Sequence, residues 1–310
     1  MSFSSEVKVE LSRQTSTARH CQIAEAAAIF RMCGLVLEKG KKLTVRMENP
    51  DVGKKFRLLL KRAFQIELPV SEKEGVSLYN IEGEEARRFL QTVKLLGADG
   101  YPEERQDFIN GMVVQNSCCK RAFIRGAFLS GGSISNPQKS YHFEIVCDSA
   151  GKAEQLRELL RAFAIEAKIV RRKRYDVLYI KEGNQIVDVL GIMEANLALM
   201  ELENIRILRE MRGSVNRKVN CETANINKTV SAAVGQMSDI LYIRDKIGLD
   251  KLPERLGEIA AARLEQPEAT LKELGDSLTP PIGKSGVNHR LRKLKELAKS
   301  LKDNGEEESL

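Results

Sequence analysis

The sequence has no tryptophan, and aromatic residues make up only 5% of the 310 residues. Aliphatic side chains must therefore supply most of the buried apolar surface. The chain also lacks any run of about 18 apolar residues, the length that a membrane-spanning helix requires. Its first residues contain no apolar stretch typical of a signal peptide. These absences predict a soluble, cytoplasmic protein with no membrane partner.

Histidine is scarce, and the six cysteines show none of the spacings typical of metal sites. The histidines are His20, His142 and His289, while Cys118 and Cys119 are adjacent and no two cysteines are separated by two residues. This spacing predicts no zinc site. We expect reduced, mostly buried thiols, and no metal or other cofactor.

Acidic residues are fewer than basic ones, 43 against 50, so the net charge is +7. This excess is compatible with a polyanionic partner such as nucleic acid but does not identify one. A hydrophobic content of 42% and a charged content of 30% are typical of globular proteins. At roughly 150 residues per domain, the length predicts about two domains.

An internal repeat organises residues 19–203, with copies at about 19–110 and 117–203. Residues 62–67 (RAFQIE) and 161–166 (RAFAIE) are identical at five of six positions. Because further identities follow in the same order at a nearly constant shift, we predict a duplication. The further pairs are Cys21 and Cys119, Ala24 and Ala122, Phe30 and Phe128, and Gly34 and Gly132.

Each copy shows helical and alternating apolar patterns in the same order, after an N-terminal helix within residues 1–18. The order predicts an α+β fold built from two αββαββα-type repeats. Helices are expected at residues 22–33, 52–64, 83–96, 121–130, 152–163 and 184–193, and the clearest strands at 42–47, 76–81, 141–147 and 177–180.

The opening helices carry small residues, among them Ala24, Ala28 and Gly126, which would let two helix backbones approach closely. A single well-packed helix is the alternative explanation. Residues 124–132 (IRGAFLSGG) resemble the LAGLIDADG helix of homing endonucleases, and residues 26–34 (AAAIFRMCG) resemble a degenerate copy of it. The resemblance implies that the two helices pack together at a pseudo-twofold axis.

In homing endonucleases an acidic residue before each final glycine holds a divalent metal for DNA cleavage. Cys33 and Gly131 stand at these positions here. Neither supplies the carboxylate oxygens that Mg²⁺ requires. The resemblance therefore implies the scaffold without its catalytic groups, and we predict that the protein is not an enzyme.

The chain as a whole resembles the WhiA family of bacterial regulators. The resemblance covers residues 1–303 and is carried by residues 125–134 (RGAFLSGGSI), 215–225 (VNRKVNCETAN) and 284–294 (KSGVNHRLRKL). It implies a DNA-binding transcriptional regulator of cell division and chromosome segregation, and of sporulation in bacteria that sporulate.

Residues 229–303 are predicted to form an all-α helix-turn-helix domain. A short helix at 269–278 is followed by a break at 279–283 (TPPIG) and a second helix at 284–301. From Lys284 to Lys302 seven Lys or Arg residues stand against one Glu, a net charge of +6.

The apolar residues Val287, Leu291 and Leu294 fall on one face of this second helix. The opposite face would enter the major groove, where Arg can pair with guanine and Asn with adenine. A solvated basic surface helix is the alternative. The predicted DNA-binding residues are Lys284, Ser285, Asn288, His289, Arg290, Arg292, Lys293 and Lys295.

Residues 204–228 are rich in asparagine and arginine and are predicted to be a polar linker. Its Arg217 and Lys218, together with Arg171 and Arg172 of the second copy, are candidate phosphate contacts. A linker that contacts no DNA is the alternative.

Residues 304–310 contain three glutamates and are expected to form a disordered acidic tail. The favoured function is a regulator bound to double-stranded DNA, with a transcription co-regulator protein as a candidate second partner. An active endonuclease is one alternative. The other is a nucleoid- or division-associated scaffold whose duplicated domain binds a protein. The sequence does not indicate an oligomeric state.

Overall fold

The structure, a computed structural model, describes residues 2–69, 71–73, 76–102 and 109–307. Internal contacts divide the chain into two compact units, Met1–Arg209 and Glu210–Leu310. No helix within the described residues is both long enough and apolar enough to cross a membrane.

The first unit begins with a short helix and continues with two copies of one seven-element motif. Helix α1 spans Phe3–Arg13. The first copy contains α2 (Arg19–Cys33), β1 (Gly34–Leu37), β2 (Lys42–Met47), α3 (Pro50–Leu59, extended by a π-helical turn over Leu60–Phe64), β3 (Ser71–Lys73), β4 (Val76–Glu82) and α4 (Gly83–Thr92). The second contains α5 (Ser117–Gly131), β5 (Gly132–Ile134), β6 (Phe143–Cys147), α6 (Ala150–Arg161), β7 (Lys168–Arg172), β8 (Tyr175–Ile180) and α7 (Gly183–Met193). The shared order αββαββα confirms the predicted duplicated fold.

Each copy folds its strands into a four-stranded antiparallel sheet with the same topology. The strand orders are β1-β2-β4-β3 and β5-β6-β8-β7. Alternate residues of β6, namely Phe143, Ile145 and Cys147, are buried, as the alternation in the sequence predicted. The positions of the short strands β1 and β5 were not predicted, because each strand directly follows a helix and is too brief to show a periodic pattern.

The two copies meet through their opening helices, α2 and α5. At Gly126 the backbones of the two helices approach closely. A Cβ atom added to Gly126 would lie 2.6 Å from the backbone oxygen of Glu25 and 2.9 Å from the Cβ of Ala28. Any larger residue at this position would have to push the helices apart. The predicted close approach of the two helices is therefore confirmed.

A buried cluster of charged side chains lies beside this contact. The Glu25 carboxylate is fully buried and binds Lys55 Nζ at 2.5 Å and Arg125 Nε at 3.0 Å. Lys55 also donates to the backbone oxygen of Leu11 at 2.7 Å, and Arg125 binds Glu194 at 2.7 Å. Burial lowers the pKa of Lys55, against the opposing effect of Glu25. The cluster joins α1, α2, α3 and α5.

The pairing of α2 and α5 also brings their N-terminal ends together. His20 and Cys21 of α2 and Cys118 and Cys119 of α5 place one potential ligand atom each within 4.8 Å of the others. The prediction of no zinc site relied on spacing along the chain, and that spacing does not reveal a grouping formed by two helices.

The second unit is helical in all of its described residues outside short turns. It contains most of the long helix α8 (Asn196–Ile247), a 3₁₀ turn (Leu249–Lys251), α9 (Glu254–Glu265), α10 (Leu271–Asp276) and α11 (Lys284–Glu307). Its buried core is formed by Ile240, Ile243, Leu252, Ile259, Ala260, Leu274, Leu278, Val287, Leu291, Leu294 and Ala298.

The predicted linker, residues 204–228, lies entirely within α8. Its backbone is helical, and every residue from 203 to 239 is exposed or half-buried. The asparagines give no signal of a helix, because this residue type favours turns in isolation. An exposed helix accepts them because its backbone groups bond to one another.

The structure of the acidic tail also differs from the predicted disorder. Helix α11 continues to Glu307 rather than ending near residue 301, so it includes the first four residues of the segment 304–310. Residues 308–310 lie outside the described part of the chain.

Replacing Glu25 by Gln should destabilise the first unit by about 3–5 kcal/mol, because the buried Lys55 and Arg125 would lose their shared counter-charge. Glu194→Gln is the matched control. Its side chain is 52% exposed, and its loss should cost under about 1 kcal/mol. Denaturant unfolding followed by circular dichroism measures both. Equal stability of the two variants would contradict the role of the cluster.

Replacing Leu291 by Ala should destabilise the second unit by about 2–5 kcal/mol, because this side chain is 3% exposed and its removal leaves a cavity. Lys295→Ala, at an exposed position one turn further on, should change stability by under about 0.5 kcal/mol. Thermal unfolding of the two variants compares these effects. A Leu291→Ala protein as stable as Lys295→Ala would show that this face of α11 is not core.

Candidate nucleic-acid interface

Helix α10 begins at a capping box. The Thr270 hydroxyl accepts a hydrogen bond from the Glu273 N–H at 3.3 Å, and the Glu273 carboxylate accepts one from the Thr270 N–H at 2.7 Å. The two bonds satisfy N–H groups that a helix start leaves free, and they lower the pKa of Glu273. The sequence analysis missed these residues, although the T-x-x-E spacing at 270–273 is the signal for them.

A tight turn connects α10 to α11. The Ile282 N–H donates to the Gly275 oxygen at 3.0 Å, and a Cβ atom on Gly275 would collide with the carbonyl oxygen of Ile282. The Gly283 oxygen then accepts the N–H of Val287 at 3.1 Å, which begins α11. Glycine at 275 is thus required for the close approach of the two helices.

Helix α11 has one buried side and one exposed side. Val287, Leu291, Leu294 and Ala298 are buried, as the periodicity predicted. Seven of the eight predicted DNA-binding residues lie on the remaining surface. These seven, which we call the basic face, are Lys284, Ser285, Asn288, His289, Arg292, Lys293 and Lys295, and all are exposed.

Arg292 supplies the guanidinium group of the basic face. Its side chain is 73% exposed and pairs with Glu296 at 3.1 Å, one turn along the helix. Exposed pairs of this kind contribute only about 0.3–0.5 kcal/mol. Arg292 can therefore exchange this partner for a nucleic acid at little cost.

Arg290 departs from the sequence-based expectation. Its side chain is 19% exposed, lies 3.6 Å from Glu258 and donates to the backbone oxygen of Arg255 at 3.3 Å. These contacts attach α11 to α9. Arg290 is therefore less available to a ligand than the seven residues of the basic face, and its DNA contact stays a prediction.

The four candidate phosphate contacts lie elsewhere. Arg217 and Lys218 are exposed on α8. On the sheet of the second copy, Arg171 pairs with a carboxylate at 2.6 Å and Arg172 with another at 3.0 Å. Because both β7 arginines already have acidic partners, this strand offers less free positive charge than its sequence indicates.

The degenerate acid positions lie at the C-terminal ends of α2 and α5. The Cys33 thiol donates to the Ile29 oxygen at 3.1 Å, and burial raises its pKa to about 11. A Cβ atom on Gly131 would lie 2.8 Å from the Val146 oxygen and 2.9 Å from the Met32 Cε. A carboxylate side chain at 131 would therefore require the neighbouring strand to move.

Comparison with known proteins agrees with this division of the chain. Residues 120–212 match the WhiA LAGLIDADG-like domain, and residues 215–298 match the WhiA C-terminal HTH domain. A crystal structure of full-length WhiA from Thermatoga maritima superposes with a TM-score of 0.59 at 27% identity, covering 97% of this chain and 99% of that one.

Full-length relatives show the same relationship. A protein of Lachnoclostridium phytofermentans named "Probable cell division protein WhiA" is 50% identical, over 97% of this chain and 100% of its own length. A protein of Alkaliphilus oremlandii with the same name is 47% identical, over 98% of both chains. With two domain matches in order and identity extending over nearly the whole sequence, this chain belongs to the WhiA family.

Proposed function

We propose that this protein binds double-stranded DNA through the basic face of α11 and regulates transcription in the cytoplasm, on the chromosome. The observation that carries the proposal is the basic face itself. It presents four cations, one imidazole and two small polar side chains on a helix whose opposite side is packed into a core. This is the arrangement by which a helix-turn-helix protein places its second helix in the major groove.

The chemistry of the basic face supports sequence-specific contact as well as general affinity. Arg292 and Asn288 can form paired hydrogen bonds to guanine and adenine, respectively. The lysines at 284, 293 and 295 suit phosphates, which supply affinity without reading sequence. All of them lie in the first half of α11, the part of a recognition helix that contacts base edges.

The biological role follows from the relatives. Those reported above are named cell division proteins, and we extend that role to this chain. Regulation of division genes, a contribution to chromosome segregation, and sporulation where the bacterium sporulates are the proposed outputs. A co-regulator protein is a proposed second partner.

The scaffold alternative is favoured by one feature of the first unit. Strand β1 lies at the edge of its sheet, and its Leu35 and Leu37 are 64% and 42% exposed. Apolar side chains on an open strand edge are a surface that a protein partner can cover. This reading requires that removal of the basic face leaves the division phenotype unchanged.

The DNA-binding proposal is tested with Arg292→Ala and His289→Ala. If these residues read bases, each loss should weaken specific binding by about 1–3 kcal/mol and relax specificity at one position. If they contact phosphate, binding should weaken equally on all sequences, with a smaller salt dependence.

Titration against specific and scrambled duplexes at two salt concentrations separates these outcomes. Lys251→Ala is the matched control, an exposed cation of the same unit that lies outside α11. Unchanged affinity for both duplexes in a His289→Ala/Arg292→Ala double variant would show that α11 does not face DNA.

We also propose that the protein lacks nuclease activity, because Cys33 and Gly131 supply no carboxylate. Supercoiled DNA should remain intact with Mg²⁺ or Mn²⁺. The acids Glu48 and Asp148 line the same cleft as Cys33 and Gly131, and Asp148 pairs with Lys152 at 2.8 Å. Cleavage that persists through purification and disappears in Glu48→Gln/Asp148→Asn would overturn the proposal.

A further inference from the structure

A cluster of three thiols and one imidazole lies where the first turns of α2 and α5 meet. His20 and Cys21 occupy in the first copy the positions that Cys118 and Cys119 occupy in the second, since the repeat shift there is 98 residues. Two members, Cys21 and Cys119, are buried, while His20 and Cys118 face solvent. Each copy therefore contributes two adjacent ligand-type residues to one place.

All three thiol sulfurs of the cluster lie close to one ring nitrogen of His20. His20 Nδ1 lies 3.2 Å from Cys119 Sγ, 3.4 Å from Cys21 Sγ and 4.0 Å from Cys118 Sγ. A ring nitrogen has one lone pair or one N–H, so it cannot satisfy three thiols by hydrogen bonding. The thiols also hydrogen-bond to one another, to Ser16 and to the Asn116 backbone, and the imidazole nitrogen is the atom around which all three sulfurs gather.

Tetrahedral coordination by a metal explains the grouping. With Zn–S bonds of about 2.3 Å and Zn–N bonds of about 2.0 Å, neighbouring ligand atoms lie about 3.5–3.8 Å apart. All four atoms already lie within 4.8 Å of one another. Coordination would therefore require the distances between these atoms to change by about an ångström.

We infer that His20, Cys21, Cys118 and Cys119 form a structural Zn²⁺ site that joins the two copies of the duplicated unit. Three sulfurs and one imidazole are a zinc-binding set in proteins. They are a poor set for Mg²⁺ or Ca²⁺, which prefer oxygen ligands. Four protein ligands also leave no open position for a substrate, so the site is structural rather than catalytic.

The surroundings of the cluster allow the metal to enter. Cys21 and Cys118 line an open cleft of about 700 Å³, together with Ser16, Ser117 and Arg121. Burial raises the pKa of Cys21 to about 12 and raises that of Cys119. Both thiols therefore hold their protons in the metal-free protein, and binding must release them to the solvent, which makes affinity rise with pH.

The experiment uses the full-length, reduced protein without a polyhistidine tag. Zn²⁺ content is measured by elemental analysis, and Co²⁺ is added to the metal-free protein as a spectroscopic substitute. The wild type should bind one Zn²⁺ per chain. Its Co²⁺ form should show tetrahedral ligand-field bands with thiolate charge transfer, and chelation should lower its Tm by several degrees.

The variants His20→Ala and Cys118→Ser change exposed ligands, so the fold should survive. Each should lose the Co²⁺ spectrum and at least tenfold in Zn²⁺ affinity, and its Tm should no longer respond to the chelator. His20→Cys should retain Zn²⁺, since four cysteines also bind it. Cys221→Ser, an exposed thiol on α8, is the matched control and should behave like the wild type.

A wild-type protein that takes up no more Zn²⁺ or Co²⁺ than Cys118→Ser would overturn the inference. So would a Tm that falls equally on chelation in the wild type and in His20→Ala. Either result would leave the basic face of α11 and its DNA titrations unaffected, because that test depends on residues of the other unit.

Discussion

The first unit depends on the close packing of α2 against α5. Gly126 lies against the Glu25 backbone with no room for a side chain. The two helices are therefore in direct backbone contact at this point. That contact buries Glu25, and a buried carboxylate requires counter-charges and hydrogen bonds. Lys55 and Arg125 supply them. The packing of the helices and the charge cluster beside them therefore depend on each other.

The two ends of this helix pair differ in the chemistry of their side chains. At the C-terminal ends, Cys33 and Gly131 supply no metal-binding oxygen, and the Gly131 backbone is packed against its neighbours. At the N-terminal ends, three thiols and an imidazole come together. The C-terminal ends thus lack carboxylates at positions 33 and 131, whereas the N-terminal ends group the soft ligand types that suit zinc.

Local patterns in the sequence were sufficient to predict much of this architecture. The repeat of RAF-x-IE and the αββαββα order follow from residues close together in the chain, because helix and strand periods appear in the sequence itself. The division of α11 into an apolar and a basic face follows for the same reason. The contacts of Arg290 do not follow from a local pattern, because its partner Glu258 lies on another helix. Only the packing of α11 against α9 determines that this side chain is partly buried.

The sequence by itself determined the duplication, the absence of a carboxylate at positions 33 and 131 and the basic helix, since each is a property of residue type and local spacing. The tertiary structure alone decided three other features. It made residues 204–228, predicted to be a polar linker, part of one continuous helix. It placed Lys55 beside Glu25. It also brought His20 and Cys21 next to Cys118 and Cys119, nearly 100 residues away, because a ligand set assembled by two helices has no spacing along the chain.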